Sequence, residues 1–249
     1  MKIQKPWLVL LSVTVAVALA LPSQAGDEKH RSRHNVVEIS DSRIKFEINS
    51  TDEDGGIQVF IDAEPWRTMS IYDPMDRRIF RSKTAGSIGA NGGTELFFES
   101  GEPEFSELSL EELLERFPAG TYHFRGRGIE GERLVGSGVL THDLPDGPVL
   151  VYPLEDSGLL DPGNVTLMWE GVGPANGSPI IAYQVLVVQE TELVALPKVS
   201  LDVMMPPTAR SLIVPPGFLL PDTEYEWEVL AIESGGNQTL SSAFFMTAP

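Results

Sequence analysis

The stretch EYEWEVLAI, residues 224–232, sets Tyr225, Trp227, Val229 and Ala231 on one side and Glu224, Glu226 and Glu228 on the other. Successive side chains of a strand point to opposite faces, so a period of two in hydrophobicity marks a strand with one face on a core. The same period recurs along the chain. RIKFEIN (43–49) places Ile44, Phe46 and Ile48 opposite Lys45, Glu47 and Asn49, and GIQVFID (56–62) places Ile57, Val59 and Ile61 together. VTLMW directs Val165, Leu167 and Trp169 inward, and IAYQVLVV puts Ile181, Tyr183, Val185 and Val187 on one face. Many short alternating segments separated by turn signals predict an all-β chain.

One helix interrupts the pattern. In SLEELLERF (109–117), Leu110, Leu113, Leu114 and Phe117 share one face, Ser109 with Glu112 forms a capping box, and Pro118 and Gly120 close the helix. The run HDLPDGPVLVYP (142–153) holds four turn-forming Pro and Gly residues, Pro145, Gly147, Pro148 and Pro153. Such a run suits a stiff boundary rather than a central strand. The expected architecture is two β-sandwich-like domains in tandem, 37–146 with the short helix and 148–247. Residues 1–25 read as a cleaved signal peptide, with Lys2 and Lys5, an apolar run too short to span a bilayer, and Ser23 and Ala25 before the cut. Residues 26–36 read as a polar leader. The expected location is periplasmic or secreted, with no membrane span in the mature chain. The absence of cysteine favours bacterial export over a disulfide-stapled eukaryotic module.

Within 148–247, the proline-led entry GPVLVYP, the strand VTLMWEGV with Trp169, IAYQVLV with Tyr183, and above all LLPDTEYEWEVLAI together resemble the fibronectin type III family. The resemblance covers the second domain and none of the first. It implies a β-sandwich serving as spacer or recognition module, with no catalysis. It also implies that Tyr225 hydrogen-bonds back to upstream backbone and pins the crossing between sheets. Arg-Gly-Asp is absent from the chain, so integrin-type adhesion does not carry over.

Charge excludes further classes. Eighteen Lys and Arg stand against 36 Asp and Glu, a net −18. Nucleic acid and anionic membrane surfaces, which require basic patches, are poor partners for such a chain. There is no cysteine and no Gly-x-Ser-x-Gly elbow, and His123 and His142 stand alone in the sequence, so no nucleophilic or acid–base constellation suggests an enzyme. The Gly-rich TAGSIGANGG (84–93) lacks the Lys-Ser/Thr of a phosphate loop and reads as a flexible connection. The acidic turn STDEDGGIQ (50–58) carries the one cofactor expectation. Asp52 and Asp54 around Gly55 and Gly56, with Asp62 further on, are candidate calcium ligands, since calcium takes six to eight oxygens. The alternative is a polar turn between two strands, for which Asp and Gly are the usual residues. The function expected is an exported, non-enzymatic binding or scaffold protein with a protein or polysaccharide partner. Its alternative is a calcium-dependent or polysaccharide-binding accessory protein, for which Trp66 is the aromatic candidate.

Overall fold

The computed structural model describes residues 35–190 and 200–249. The expected signal peptide and nearly all of the polar leader lie outside the described residues. No described helix is long and apolar enough to cross a membrane.

The first half contains β1 (Val36–Glu38), β2 (Asp41–Asn49), β3 (Asp54–Tyr72), β4 (Arg78–Lys83), α1 (Gly86–Asn91), β5 (Gly93–Glu99), α2 (Leu110–Arg116), β6 (Gly120–Gly128) and β7 (Arg133–Leu140). GIQVFID and RTMSIYD, separate runs in the sequence, are the two ends of the single 19-residue β3. Its N-terminal part pairs with β2 and β5 and its C-terminal part with β4 and β6, with register shifts between Asp62 and Trp66. Pro65 lies in that shift and has no N–H to give a ladder, so the strand bends there and joins two layers. Between the layers lie Phe46, Val59, Ile61, Met69, Ile71, Tyr122 and Phe124, all essentially inaccessible. β7 closes against β2, where Ser42 Oγ donates to the Ser137 carbonyl at 3.1 Å. A Cβ on Gly138 would sit 2.9 Å from the Ser42 carbonyl oxygen, which accounts for the small residues of GSG (136–138).

Helix α2 has the expected capping box between Ser109 and Glu112 and buries Leu113 against this core. The Gly-rich run also contains α1, a six-residue helix that buries nothing.

The second half comprises β8 (Leu150–Tyr152), β9 (Leu159–Leu160), β10 (Thr166–Trp169), β11 (Ile180–Gln189), β12 (Ser200–Met205), β13 (Ser211–Ile213), β14 (Glu224–Glu233) and β15 (Gln238–Thr247). A three-stranded sheet β13-β10-β8 packs against β15-β14-β11-β12. Trp169, Tyr183, Val185, Val187, Tyr225, Trp227 and Val229 fill the space between them. Tyr225 makes the corner implied by the resemblance: its hydroxyl accepts the Leu220 N–H at 2.8 Å, and its ring is fully buried. Tyr225→Phe should destabilise the chain by about 1–3 kcal/mol, because the Leu220 N–H loses its acceptor. An unchanged urea midpoint would show that the corner bond contributes nothing.

Ile181 departs from its expected face. The register between β11 and β14 shifts between Ile180 and Ala182, so Ile180 packs against the core and Ile181 turns outward, 50% exposed.

The cores of the two halves are separate, yet the backbone joins them. β2 and β15 pair in parallel, Glu47 with Gln238, Ile48 with Thr239 and Asn49 with Leu240, making one continuous sheet through both halves.

Candidate functional site

The turn that opens β3 is built by Asn49. Its side-chain oxygen accepts the N–H groups of Thr51 and Asp52 at 3.0 and 3.1 Å, while its amide donates to Asp52 Oδ2 at 3.1 Å. Glu53 then adopts φ +55 before the glycine pair. Those glycines have a steric role: a Cβ on Gly55 would meet Ile48 Cδ1 at 2.7 Å, and one on Gly56 would meet Ser100 Oγ at 2.5 Å. They let the chain after β5 lie directly across β2 and β3. Ser100 Oγ accepts the Ile57 N–H at 3.0 Å, and the Phe105 N–H reaches the Glu53 carbonyl at 2.7 Å.

That close approach gathers carboxylates. Glu47 on β2, Glu99 at the end of β5 and Glu102 just beyond it bring oxygens within 4.8 Å of one another. Glu47 is 3% exposed. Its Oε2 accepts from Gln58 Nε2 at 2.6 Å and from Gln238 Nε2 of the second half. Gln58 also donates to Glu99. Lys45 Nζ donates to Gln238 Oε1 at 2.5 Å, so both ends of the Gln238 amide are engaged from β2.

The electrostatics follow from burial. Loss of hydration, then repulsion from Glu99, pushes Glu47 up to about 7, against the opposing pull of Lys45 and the two amides. Burial, then Glu47, Glu99, Asp54 and Glu228, pushes Glu102 up to about 8. Burial lowers Lys45 from its ordinary value, opposed by Glu47. The pair Glu226 and Glu228, on the outer face of β14, are 5% and 8% exposed. They point away from the sandwich core, as alternation requires, and Glu228 lies close enough for its charge to act on Glu102.

Of the three expected calcium ligands, Asp54 borders the cluster, since its charge acts on Glu102. Asp52 is exposed and belongs to the Asn49 turn. Asp62 pairs with Asp41 at the far end of the β2–β3 ladder. Eight residues of strand separate it from Asp54, about 26 Å. The three aspartates therefore do not converge. Among the described residues, the carboxylates that do converge are these glutamates, with an all-oxygen donor set suited in type to a hard cation. Alternation assigned Glu47 to a solvent face, and nothing in FFESGEPE set Glu99 and Glu102 apart from other acids. The signal was Gly56, whose close contact brings that segment down.

Around this cluster, Asn237 fastens the halves. It is 1% exposed, accepts the Phe46 N–H at 2.9 Å, and donates to Thr141 Oγ1 at 2.8 Å and to the carbonyls of Thr141 and Asp143, both at 3.2 Å. The Ser50 N–H bonds the Leu240 carbonyl at 2.9 Å, and the Ser242 N–H bonds Thr51 Oγ1 at 2.9 Å.

The remaining candidates are structural. Trp66 is 3% exposed and belongs to the first core, so it offers no platform to a polymer. His142 donates from Nε2 to the Phe117 carbonyl at 3.0 Å and packs on Phe46, whereas His123 is exposed on β6.

No protein-family model and no curated protein matches the chain. Among solved structures it is similar to the FN1–FN3 domains of chicken CNTN1, at 12% identity and TM-score 0.34, covering 88% of this chain and 66% of that one. It is also similar to fibronectin(III)-like modules of Clostridium thermocellum CbhA, at 10% identity and TM-score 0.33, covering 88% of this chain and 92% of that one. A third similar structure is a set of titin domains, at 17% identity and TM-score 0.28, covering 89% and 63%. The chain thus spans just under two thirds of the CNTN1 and titin structures. Likeness of this degree adds nothing to the strand topology described above.

Proposed function

We propose that the chain is an exported, non-enzymatic binding or scaffold protein of the cell envelope or extracellular space, with a fibronectin type III-like second half that contacts a protein or polymer. The observation that carries this is the junction: β2–β15 pairing and the Asn237 bonds couple two separate cores through one sheet. A coupled pair of sandwiches holds its outer surfaces in fixed relation, which suits a spacer or recognition body. Export rests on the character of residues 1–25. The test is to express the chain with those residues in a bacterium, fractionate the cells and crosslink the envelope. The expected result is a mature chain beginning near Gly26 in periplasm or medium, crosslinked to a defined partner. Retention of Met1–Ala25 on a cytoplasmic protein would refute the export part.

A calcium-dependent version is favoured by one observation, the convergence of Glu47, Glu99 and Glu102. Calcium at a hundredfold above its dissociation constant would add about 2.7 kcal/mol to folding. The effect should be larger at pH 8, where Glu47 is mostly ionised and Glu102 about half so, than at pH 5.5, where both are protonated, and Glu102→Gln should remove it. Thermal melts in calcium and in EDTA, at fixed ionic strength to exclude general screening, decide the matter. Equal melts at pH 8 would rule calcium out.

A further inference from the structure

In a chain of net −18, Arg43 and Lys45 of β2 line a cleft of about 560 Å3 at the junction of the two halves. Its walls carry Val139 of β7, Ile181 of β11 and Met204 of β12, which are 60%, 50% and 59% exposed. Three exposed apolar side chains from both halves thus surround one opening. Ile181 is there because the β11 register shift turns it out of the core. Gln184, Gln238 and the backbone at Gly138, Gly235 and Gly236 also line it.

The two cations are held in place. Arg43 Nε pairs with Asp41 at 3.0 Å and the guanidinium lies 4.5 Å over the Phe60 ring, leaving its terminal nitrogens as donors. Lys45 Nζ donates one of its three N–H groups to Gln238 Oε1, leaving two as donors. Positions fixed in advance reduce the entropy lost on binding. A volume of this size at the interface of two folded units, mostly apolar with a few directed polar groups, is the usual form of a small-ligand site.

We propose that this cleft binds a small amphipathic anion, with an acidic head group on Arg43 and Lys45 and an apolar body against Val139, Ile181 and Met204. The inference deepens the binding function proposed above. Its test needs neither export nor a macromolecular partner, so the two can fail separately.

The experiment uses the purified chain and the fluorescent probe 1-anilinonaphthalene-8-sulfonate, with decanoate and decanol as competitors of equal length. Saturable probe binding is expected, with decanoate displacing the probe about tenfold or more better than decanol. Arg43→Gln, at an exposed side chain, should weaken decanoate by about tenfold or more while leaving the melting temperature near wild type. Met204→Glu, at an exposed position, should remove binding without affecting folding. No saturable binding, equal displacement by decanoate and decanol, or unchanged affinity in these variants would overturn the proposal.

Discussion

Replacing Asn237 with alanine is expected to destabilise the chain by about 2–4 kcal/mol, because a buried amide hydrogen bond contributes about 1 kcal/mol and an orphaned buried N–H costs about 1–3. The side chain ties its own turn to two other segments: it accepts from Phe46 on β2 and donates to Thr141 and Asp143 in the connection between the halves. Alanine removes every one of these bonds and leaves the Phe46 N–H facing a void. The turn itself should persist, since the Asn237 N–H still reaches Glu233 Oε1 at 2.9 Å. Equilibrium urea unfolding measures the loss. A change below about 0.5 kcal/mol, the range of ordinary surface substitutions, would mean that the junction contributes little to the folded state.

Glu47→Gln should flatten the dependence of stability on pH. The folded-state pKa of Glu47, about 7, lies above the ordinary 4.5, so the folded chain holds this proton more tightly than the unfolded chain. The associated stability is fully present below pH 4.5, declines as pH rises, and is lost above about 7. The span amounts to on the order of 3 kcal/mol at 1.36 kcal/mol per pKa unit. Glu102 acts in the same direction, with a weaker effect because its side chain is only partly buried and is screened by solvent. Glutamine keeps an oxygen that accepts from Gln58 and Gln238 and cannot ionise. The difference between variant and wild type should therefore favour the variant increasingly from pH 5.5 to pH 8. Parallel stability curves across that range would show that Glu47 does not titrate as described.

Local patterning revealed most of the elements and little of their assembly. Ile44, Phe46 and Ile48, the Ser109–Glu112 box and the Tyr225 corner were legible because each depends on residues close in sequence. The β2–β15 pairing was not, because it joins positions about 190 apart through Glu47 and Gln238, polar residues that alternation assigns to water. For the same reason the acidic turn drew attention while the carboxylate cluster did not. Asp52, Asp54 and Asp62 are near one another only along the chain, whereas Glu47, Glu99 and Glu102 meet only when the segment after β5 crosses Gly56. Ile181 illustrates a smaller limit: one register shift in β11 reverses a face that strict alternation had placed inside.

Amide hydrogen exchange on the full chain distinguishes one body joined through the shared β2–β15 sheet from two independent halves. The Phe46 and Ser50 N–H groups, bonded across the junction to Asn237 and Leu240, should exchange with opening free energies comparable to those of Ile61 and Val229 in the two cores. Rapid exchange at Phe46 and Ser50, with Ile61 and Val229 still protected, would contradict the single body and leave two sandwiches that fold and move independently.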